Sequence, residues 1–491
     1  MNGAPKPSST DFDVIIVGAG ISGINAAYRV QTELPDASYT VLEARDAMGG
    51  TWDLFRFPGI RSDSDLYTFG FPWRPWMDQK LIAEGAAIRK YIDESAAEYG
   101  IDRKVRFHHK LVSADWSEDQ QSWSLQVDAN GETKYYHARF LILSTGYYDY
   151  DEVLSSTIPG ISDFKGTVIH PQFWPEKYDY TGQKIIVIGS GATAVTLVPV
   201  LAETAAHVTM LQRSPGYILS RPSVDPTASW MMKILPSWLV FSLIRAKFLI
   251  MSQLFVTFCR RFPNAARNLI RKETEKRLPK NIPHDPHFHP RYNPWEQRLC
   301  LDPDAKFFKA LRAGKADVAT GTIKRVTATG IEMHSGQFLP ADLIVTATGL
   351  KIQVGGGTSI SVDHRRIDIT KKFLWKGVMV QDVPNLATVI GYTNASWTLG
   401  ADATAQLVCR LLKLMRNEGV TAAVPRCEDA GSMRVVPVLD LNSTYVERGK
   451  GDLPRAGSRG PWRPRKAYWR DLWEAKFGCL REGLVFERVA V

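Results

Sequence analysis

The stretch DVIIVGAGISG, Asp13–Gly23, decides the fold of this chain. Its first half, Asp13–Val17, is almost entirely apolar, as is typical of a parallel strand buried on both faces. The second half fits GxGxxG, whose glycines permit a tight turn, close approach of a pyrophosphate and close packing of a helix on the strand. Free N–H groups at the start of that helix favour phosphates. The stretch therefore predicts a dinucleotide site that uses Gly18, Gly20, Ile21, Ser22 and Gly23.

A carboxylate follows the next apolar run at the spacing that such sites require. Glu43 directly follows the run Tyr39–Leu42 and lies 20 residues after Gly23. A carboxylate at this place accepts hydrogen bonds from ribose hydroxyls and repels a 2′-phosphate. Glu43 and its neighbour Ala44 therefore predict a cofactor with an unphosphorylated adenosine ribose, which both FAD and NAD have.

The same pattern occurs a second time. The apolar run Lys184–Ile188 precedes Gly189-Ser190-Gly191-Ala192-Thr193-Ala194, which fits GxGxxA, with Ala permitted at the third position. The strand expected next, His207–Leu211, leads into Gln212, Arg213 and Ser214 instead of a carboxylate. A guanidinium can hold a 2′-phosphate through two hydrogen bonds. The second site is therefore predicted to prefer NADPH to NADH.

Two dinucleotide sites on one chain predict an α/β fold with two Rossmann-like domains. Two further apolar runs, Phe140–Leu143 and Leu343–Val345, each precede a turn of small residues. The turn after the second run is Ala347-Thr348-Gly349. Such strands, alternating with helices, favour parallel sheets. We expect the second domain to be inserted in the first. The predicted segments are residues 10–150 and 353–430 for the first domain, 151–221 and 298–352 for the second, 222–297 for a helical subdomain and 431–491 for a basic C-terminal arm.

Composition excludes several classes of protein. Of 491 residues, 44% are hydrophobic and 23% are charged, which excludes a mainly disordered or collagen-like chain. The five cysteines are odd in number and include no CxxC, so neither a disulfide framework nor a zinc site is expected. His284, His287 and His289 lie in a proline-rich loop without cysteine, and no metal site is predicted there. A reducing cytoplasm fits this cysteine usage best.

Positive charge is concentrated near the C-terminus. The net charge is +10, and Glu447–Val491 holds 11 Lys and Arg against 6 Asp and Glu. A basic surface favours anionic partners such as phosphorylated cofactors or acidic lipid, whereas the simpler interpretation is a solvated tail. Gly449–Pro464 is rich in Gly, Pro and Arg, which predicts a loop or a loosely held arm. No nucleic-acid partner is predicted.

The most apolar region is Trp230–Phe258. It contains three basic residues and a proline, so no uncharged run of 18 residues exists and no membrane-spanning helix is expected. Two interpretations stay open, a helical subdomain that covers a pocket and an amphipathic helical pair that touches a membrane. Because Met1–Thr10 has no apolar core of the kind that secretory signals contain, we predict a cytoplasmic protein, with peripheral membrane association as the alternative.

Two longer motifs carry a resemblance to a known family. Phe164–Pro175 matches FxGxxxHxxxWP, and Gly49–Asp63 matches GGxWxxxxFPGxxxD. Both resemble the signatures of the type I Baeyer–Villiger flavin monooxygenases. Stretches such as Asn293–Leu301 are similar to the bacterial ethionamide-activating subgroup. The resemblance extends from Asp11 to about Leu412.

The resemblance implies an enzyme with FAD in the first domain and NADPH in the second. In this family a flavin C4a-peroxide, formed with O2, inserts one oxygen atom next to a ketone carbonyl and gives an ester or lactone. Oxidation of sulfides is implied as a second activity, so the substrate is expected to be a small ketone or sulfide. Two alternatives stay open: a flavin monooxygenase that acts mainly on nitrogen or sulfur nucleophiles, and a non-catalytic flavin-binding protein. The oligomeric state stays open too.

The resemblance also implies the active-site residues. Arg298 stands where the family has its active-site arginine, which would stabilise negative charge on reacting oxygen. Asp63 would orient Arg298, with Asp65 as the alternative partner, and His170 is expected to have a structural role at a hinge. Many family members have Lys where Gln297 stands, so NADPH preference depends mainly on Arg213. The other cofactor-binding residues implied are Gly50, Thr51, Trp52, Asp63, Tyr67, Thr348, Gly349, Asn394 and Trp397.

Overall fold

The computed structural model describes residues 11–439 and 442–488. Its strands, numbered in chain order, are β1 (Asp11–Val17), β2 (Tyr39–Leu42), β3 (Val105–Arg106), β4 (His109–Ser117), β5 (Ser122–Ala129), β6 (Glu132–Leu143), β7 (Thr167–Ile169), β8 (Lys184–Ile188), β9 (His207–Gln212), β10 (Ile218–Arg221), β11 (Cys300–Pro303), β12 (Ala316–Thr320), β13 (Ile323–Thr327), β14 (Gly330–Met333), β15 (Phe338–Pro340), β16 (Leu343–Thr346), β17 (Ser359–Val362), β18 (Arg365–Arg366), β19 (Leu374–Trp375), β20 (Met379–Val380), β21 (Leu386–Thr388), β22 (Ala422–Pro425), β23 (Val435–Val436), β24 (Ala456–Gly457) and β25 (Leu484–Glu487).

The α-helices connect and cover these strands. They are α1 (Ile21–Glu33), α2 (Thr51–Leu54), α3 (Leu66–Phe69), α4 (Gly85–Glu98), α5 (Ala192–Leu201), α6 (Pro226–Ile234), α7 (Ser237–Arg261), α8 (Pro263–Glu275), α9 (His284–His287), α10 (Lys306–Arg312), α11 (Trp397–Glu418), α12 (Thr444–Arg448) and α13 (Tyr468–Phe477).

The first sheet is built around β1, as its apolar sequence predicts. β1 pairs in parallel with β2 on one side and with β6 on the other, so that Val14 lies between Tyr39 and Phe140. β6 also continues into an antiparallel layer with β5 and β4. Late in the chain β21 returns to this sheet and places Leu386 beside Leu141. The first domain is therefore assembled from two separated parts of the chain.

The second sheet lies between these two parts in the sequence. It has five strands in the order β12-β9-β8-β16-β7, all of them parallel. Helix α5 follows β8 directly and packs on β8 and β9. The nested arrangement of two Rossmann-like α/β domains is the fold that the two glycine motifs predict, and that prediction is confirmed.

Close packing explains the third glycine of the first motif. A Cβ atom on Gly23 would lie 1.8 Å from the carbonyl oxygen of Gly18, far inside van der Waals contact. Gly18 itself has φ +98°, and a Cβ there would lie 2.8 Å from the carbonyl oxygen of Ser144. Helix α1 thus starts in direct contact with the backbone of the preceding turn, and its N-terminus faces the ends of β1 and β6.

The apolar region contains two helices, α6 and α7, with Pro236 between them. Val240, Ile244 and Phe248 of α7 are buried in the core of the first domain. Among the described residues, one helical segment, Trp238–Arg261, has the length and composition to cross a membrane. An 18-residue stretch of this segment has a mean hydropathy of 1.7, and 33% of that stretch is buried.

The C-terminal segment is packed against the first domain, which corrects the expectation of a loosely held arm. β25 pairs with β22, with Ala423 opposite Phe486. Helix α13 packs on α11, where Arg410 donates to the carbonyl oxygens of Glu474 and Ala475. Trp462, inside the stretch predicted to be loose, is buried. The segment is basic on its surface and apolar beneath.

Candidate active site

A cavity of about 520 Å³ lies where the two domains meet. It is at the carboxyl ends of the parallel strands, where such sheets bind their ligands. Both glycine motifs and the second family signature reach it. The predicted residues that line it are Gly18, Gly20, Ile21, Ser22, Glu43, Ala44, Gly50, Thr51, Trp52, Asp63, Ala192, Thr193, Arg298, Gly349 and Trp397.

Other predicted residues lie outside the cavity wall. Tyr67 is fully buried, and its hydroxyl donates to the carbonyl oxygen of Asp78. Asn394 lines a separate small pocket, and its amide donates to the carbonyl oxygen of Lys466. Thr348 shares a hydrogen bond with Ser156 instead. The remaining predicted residues outside the wall are Gly23, Gly189, Gly191, Ala194, Arg213 and Ser214.

Glu43 is bound to the backbone of the first glycine turn. Its carboxylate accepts the backbone N–H of Ala19 at 2.7 Å and that of Arg45 at 2.9 Å. Burial raises the pKa of Glu43, and these two backbone donors oppose that effect. Carboxylate oxygens have further lone pairs, so Glu43 can still accept from a ribose. Beside it, Gly50 has φ +55°, and a Cβ there would lie 3.1 Å from the Cα of Gly20. This part of the site is narrow and is formed by backbone atoms, which suits an extended dinucleotide such as FAD.

Aromatic rings form one wall of the cavity. The indole N–H of Trp397 donates to the hydroxyl of Ser22 at 2.8 Å, at the start of α1. Tyr147 stacks on Trp397 with ring centroids 5.1 Å apart and an interplanar angle of 18°. The hydroxyls of Tyr147 and Tyr148 lie 2.6 Å apart, and burial raises the pKa of both. Both tyrosines remain protonated near neutral pH. The sequence analysis missed them, although they directly follow the Ser144-Thr145-Gly146 turn.

Arg298 also lines the cavity and places a cation there. Its Nη2 donates to the hydroxyl of Ser64 at 3.2 Å. Burial raises the pKa of Asp63, and the guanidinium groups of Arg61 and Arg298 oppose that effect. The hydrogen bond that Arg298 donates goes to Ser64 and not to Asp63. Asp63 and Arg298 therefore interact by electrostatic attraction.

Two neighbours of Asp63 have distinct structural roles. Asp65 caps helix α3 by accepting the backbone N–H of Thr68 at 2.8 Å and its hydroxyl at 2.7 Å, so its carboxylate is already engaged. Arg61, which the sequence analysis missed, donates to the carbonyl oxygen of Leu301 at 2.5 Å and to the hydroxyl of Thr196. Arg61 thereby holds the loop of the second signature against the second domain.

Comparison with known proteins identifies the family. A model described as flavin-binding monooxygenase-like matches residues 76–270, and one described as an NAD(P)-binding Rossmann-like domain matches residues 16–79. FAD-containing monooxygenase EthA of Mycobacterium tuberculosis is 47% identical over 480 residues, which is 97% of this chain and 98% of that protein. The chain belongs to the FAD-containing monooxygenases.

Solved structures agree with the fold of this FAD-containing monooxygenase. Oxidized steroid monooxygenase bound to NADP has a TM-score of 0.76 at 20% identity and covers 98% of this chain and 100% of its own. The OTEMO complex with FAD and NADP has a TM-score of 0.73 at 19% identity, with the same coverage. The resemblance to the type I Baeyer–Villiger flavin monooxygenases is confirmed, and so is the predicted cofactor pair of FAD and NADPH.

His170 lies on the cavity wall of the monooxygenase, within the first family signature. Its Nδ1 accepts the backbone N–H of Gln172 at 3.2 Å and so caps a short turn. Burial lowers the pKa of His170, which keeps the imidazole neutral near pH 7. This geometry favours a structural role over proton transfer.

The second dinucleotide turn of the monooxygenase keeps its predicted cation accessible. Arg213 directly follows β9 and is exposed. The hydroxyl of Ser190 donates to the carbonyl oxygen of Ser214 at 2.9 Å, which ties the glycine turn to the Arg213 loop. Among the residues described, no group of three or more His, Cys, Asp and Glu could hold a metal ion.

Proposed function

We propose that this monooxygenase catalyses Baeyer–Villiger oxidation, in which NADPH and O2 convert a small ketone to an ester or lactone, with sulfide oxidation as a second activity. The observation that carries the proposal is the position of Arg298. Arg298 lines the same cavity as the glycine turn, Trp397 and Asp63. A cation beside the place where oxygen is transferred suits a reaction that puts negative charge on a carbonyl oxygen.

FAD, once reduced by NADPH, supplies the activated oxygen. Residues of this chain would bind FAD and orient its flavin ring. Gly18, Gly20 and the start of α1 would bind its pyrophosphate, and Glu43 would accept from its ribose. The indole of Trp397 and the ring of Tyr147 would restrict how the flavin ring can lie, because Trp397 is hydrogen-bonded to α1 and Tyr147 stacks on Trp397.

Arg298 would stabilise the charge that develops on the ketone oxygen as the carbonyl is attacked. An anion in a site from which water is excluded gains far more from a fixed guanidinium than it would in bulk solvent. Asp63 limits the motion of Arg298 through attraction and keeps the net charge of the wall low before substrate binds. Oxidation at sulfur starts from a neutral nucleophile, so it depends less on this cation.

Apolar rings would keep water away from the reacting atoms. Phe55, Phe57 and Trp52 line the cavity. The hydroxyls of Tyr147 and Tyr148 remain protonated donors because burial raises their pKa. Within this pair one hydroxyl donates to the other, and the hydroxyl that accepts would keep its own proton to donate to the carbonyl oxygen of a ketone.

The second domain would present NADPH to the same cavity. Ala192 and Thr193 line its wall, and the turn Gly189–Ala194 would hold the pyrophosphate. Arg213 and Ser214 would contact the 2′-phosphate. This assignment gives Arg213 the discrimination between the two nicotinamide cofactors, since Gln297 has no charge to contribute.

Product analysis by mass spectrometry tests the reaction. The purified holoenzyme is incubated with NADPH, O2 and a panel of short-chain, long-chain and cyclic ketones, and separately with a thioether. We expect an ester or lactone that is heavier than its ketone by one oxygen atom. If no ketone in the panel gives an ester while the thioether is oxidised, the enzyme acts on nitrogen or sulfur nucleophiles instead.

A further inference from the structure

We propose that helices α7 and α13 form a docking face for an anionic lipid bilayer. The docking face is defined by Leu243, Ile250 and Leu254 of α7 and by Trp469, Trp473 and Phe477 of α13. It lies outside the cavity, and the proposal does not depend on which substrate the enzyme oxidises.

Helix α7 has an apolar stripe on the side that faces solvent. Leu243, Ile250 and Leu254 expose 45%, 52% and 62% of their surface. Their spacing of seven and four residues places them on one face of the helix. The opposite face, with Phe241 and Phe248, is buried, and Phe248 belongs to the core of the first domain. The helix is therefore apolar on both sides, although only one side has a partner within the described residues.

Helix α13 has an aromatic stripe at successive helical turns. Trp469, Trp473 and Phe477 follow one another at intervals of four residues and expose 50%, 57% and 69% of their surface. The rings of Trp473 and Phe477 lie 6.3 Å apart. Trp is the side chain that concentrates at the interface between lipid and water, because its ring is apolar and its N–H is polar.

The acidic residues of α13 point away from this stripe. Asp471 accepts the hydroxyl of Tyr392 at 2.7 Å, and Glu474 pairs with the ammonium of Lys376 at 2.7 Å. Both partners belong to the first domain. The outer side of α13 is left with aromatic and basic side chains, which is the combination that binds an anionic membrane surface.

Helices α7 and α13 are neighbours on the surface. A small pocket between the helices is lined by Leu249 and Gln253 of α7 and by Tyr468 and Trp469 of α13. Trp469 therefore joins the aromatic stripe to the side of α7. An apolar surface that spans two helices is larger than the single exposed side chains that are common on soluble proteins.

Charge selects the occupant of the docking face. Between Asp225 and Glu273 the sequence has eight Lys or Arg and no Asp or Glu. Exposed cations flank both helices: Lys233 and Arg261 near the ends of α6 and α7, and Arg470 and Lys476 on α13. A second copy of this chain would bring like charges together across a two-fold interface. An anionic lipid surface would instead be attracted.

Polar contacts hold α7 in the protein. Arg245 donates from Nη1 to the carbonyl oxygens of Tyr67 at 2.7 Å and Gly70 at 2.9 Å. Lys247 pairs with Asp225 at 2.8 Å. Crossing a bilayer would break these contacts and expose the core of the first domain. The helix is therefore suited to lie in the interface with one face inserted.

Vesicle flotation with purified holoenzyme tests the docking face. Vesicles of equal parts phosphatidylglycerol and phosphatidylcholine are compared with vesicles of phosphatidylcholine alone. We expect the enzyme to float with the anionic vesicles and to remain in solution with the neutral ones. About 0.5 M salt should weaken the binding, because screening at that concentration shortens the reach of surface charges.

Variants separate the two contributions. The double variant Ile250→Gln, Leu254→Gln and the double variant Trp473→Ser, Phe477→Ser should each lower vesicle binding about tenfold or more, because insertion of apolar surface is lost. Arg470→Gln should lower binding to anionic vesicles about fivefold. The matched control is Tyr135→Ser, Phe338→Ser, which removes two exposed rings elsewhere on the surface and should leave binding unchanged.

NADPH oxidation with a water-soluble ketone or thioether should be the same in all these variants, which shows that each one is folded. Three results would overturn the proposal: wild-type enzyme that does not bind anionic vesicles, control variants that lose binding as much as the others, or a dimer in light scattering that the α7 and α13 variants dissociate. The last result would assign the face to a second copy of the chain.

Discussion

At the scale of single residues, a change of Arg298 is expected to impair oxygen transfer and to leave flavin reduction intact. Arg298→Ala should keep its FAD and its reduction by NADPH, because Arg298 is not part of either glycine turn. Its ester yield should fall about 100-fold or more, the usual cost of removing a donor to a developing oxyanion. Anaerobic flavin absorbance and product mass spectrometry measure the two effects. Arg103→Ala, an exposed arginine outside the cavity, is the control. Full ester yield from Arg298→Ala would remove this residue from the mechanism.

Arg213 tests the choice between the two nicotinamide cofactors. Arg213→Ala should raise the KM for NADPH about 10- to 100-fold, because a charged hydrogen bond contributes about 1.5–3 kcal/mol. The KM for NADH should change little, since NADH has no 2′-phosphate. Steady-state kinetics with both cofactors measure the difference, and Lys315→Ala removes an equal charge from the surface of the same domain as a control. An equal rise for both cofactors contradicts the assignment.

At this scale the sequence predicts the residues that belong to long motifs. Asp63 and Arg298 are far apart in the chain, yet both line the same cavity, and both were predicted from motifs. Tyr147 and Arg61 are missed because their roles arise from contacts between distant segments, which no spacing records. Tyr67 is placed outside the wall because its ring packs on Phe248 of a helix whose position the sequence does not specify.

At the scale of elements, two glycines in equivalent motifs should respond differently to the same change. Gly23→Ala places a Cβ 1.8 Å from a carbonyl oxygen, so β1 and α1 must separate. We expect little soluble protein and no bound FAD. Gly191 has φ −83° and no described atom within 4 Å of its Cβ position, so Gly191→Ala should fold and keep FAD.

Gly191→Ala should nevertheless bind NADPH less tightly than the wild-type enzyme does, because the added methyl group occupies the space in which a pyrophosphate approaches the turn. Flavin content, thermal unfolding and the KM for NADPH distinguish the two outcomes. A Gly23→Ala protein with normal flavin content would contradict the packing argument. Unchanged NADPH kinetics in Gly191→Ala would contradict the placement of the pyrophosphate.

Element boundaries near the motifs could be predicted, whereas the C-terminal elements could not. An apolar run followed by Gly18 or Gly189 marks the end of a strand through local chemistry alone. The C-terminal segment is basic and rich in Gly and Pro, which predicts solvation. Its order comes from pairing of β25 with β22, more than 55 residues earlier in the chain, and from side chains such as Trp462 that are buried under the charged surface.

At the scale of the whole molecule, the two connections between the domains cross at Asp149. The backbone N–H of Asp149 donates to the carbonyl oxygen of Lys351 at 2.9 Å, and the ammonium of Lys351 pairs with the Asp149 carboxylate at 2.8 Å. Gln172, from the first family signature, donates to the Asp149 carbonyl oxygen at 2.8 Å. The outgoing chain, the returning chain and the first family signature therefore contact one another at Asp149. This contact gives the signature a structural role at the junction of the two domains.

Burial opposes ionisation of Asp149, but the Lys351 ammonium and the backbone N–H groups of Asp151 and Glu152 outweigh it, so the pKa of Asp149 is lowered. The ion pair therefore contributes to stability above the ordinary pKa of an Asp. That contribution is lost only as the pH falls through the lowered pKa. At neutral pH both partners are charged, and we expect the crossing point to hold the second domain in one orientation relative to the first.

Asp149→Asn should loosen this crossing point at neutral pH while its side-chain oxygen still accepts from Asp151 and Glu152. FAD content should stay the same, because the first glycine turn is untouched. Coupling should fall: more NADPH ends as hydrogen peroxide, and kcat/KM for the ketone drops about 10- to 100-fold, as expected when reacting groups are misplaced by a distant change. Peroxide yield per NADPH consumed measures the effect. Lys371→Ala, which breaks the exposed pair with Asp368, should leave coupling unchanged; equal coupling in Asp149→Asn would mean that domain orientation is held elsewhere.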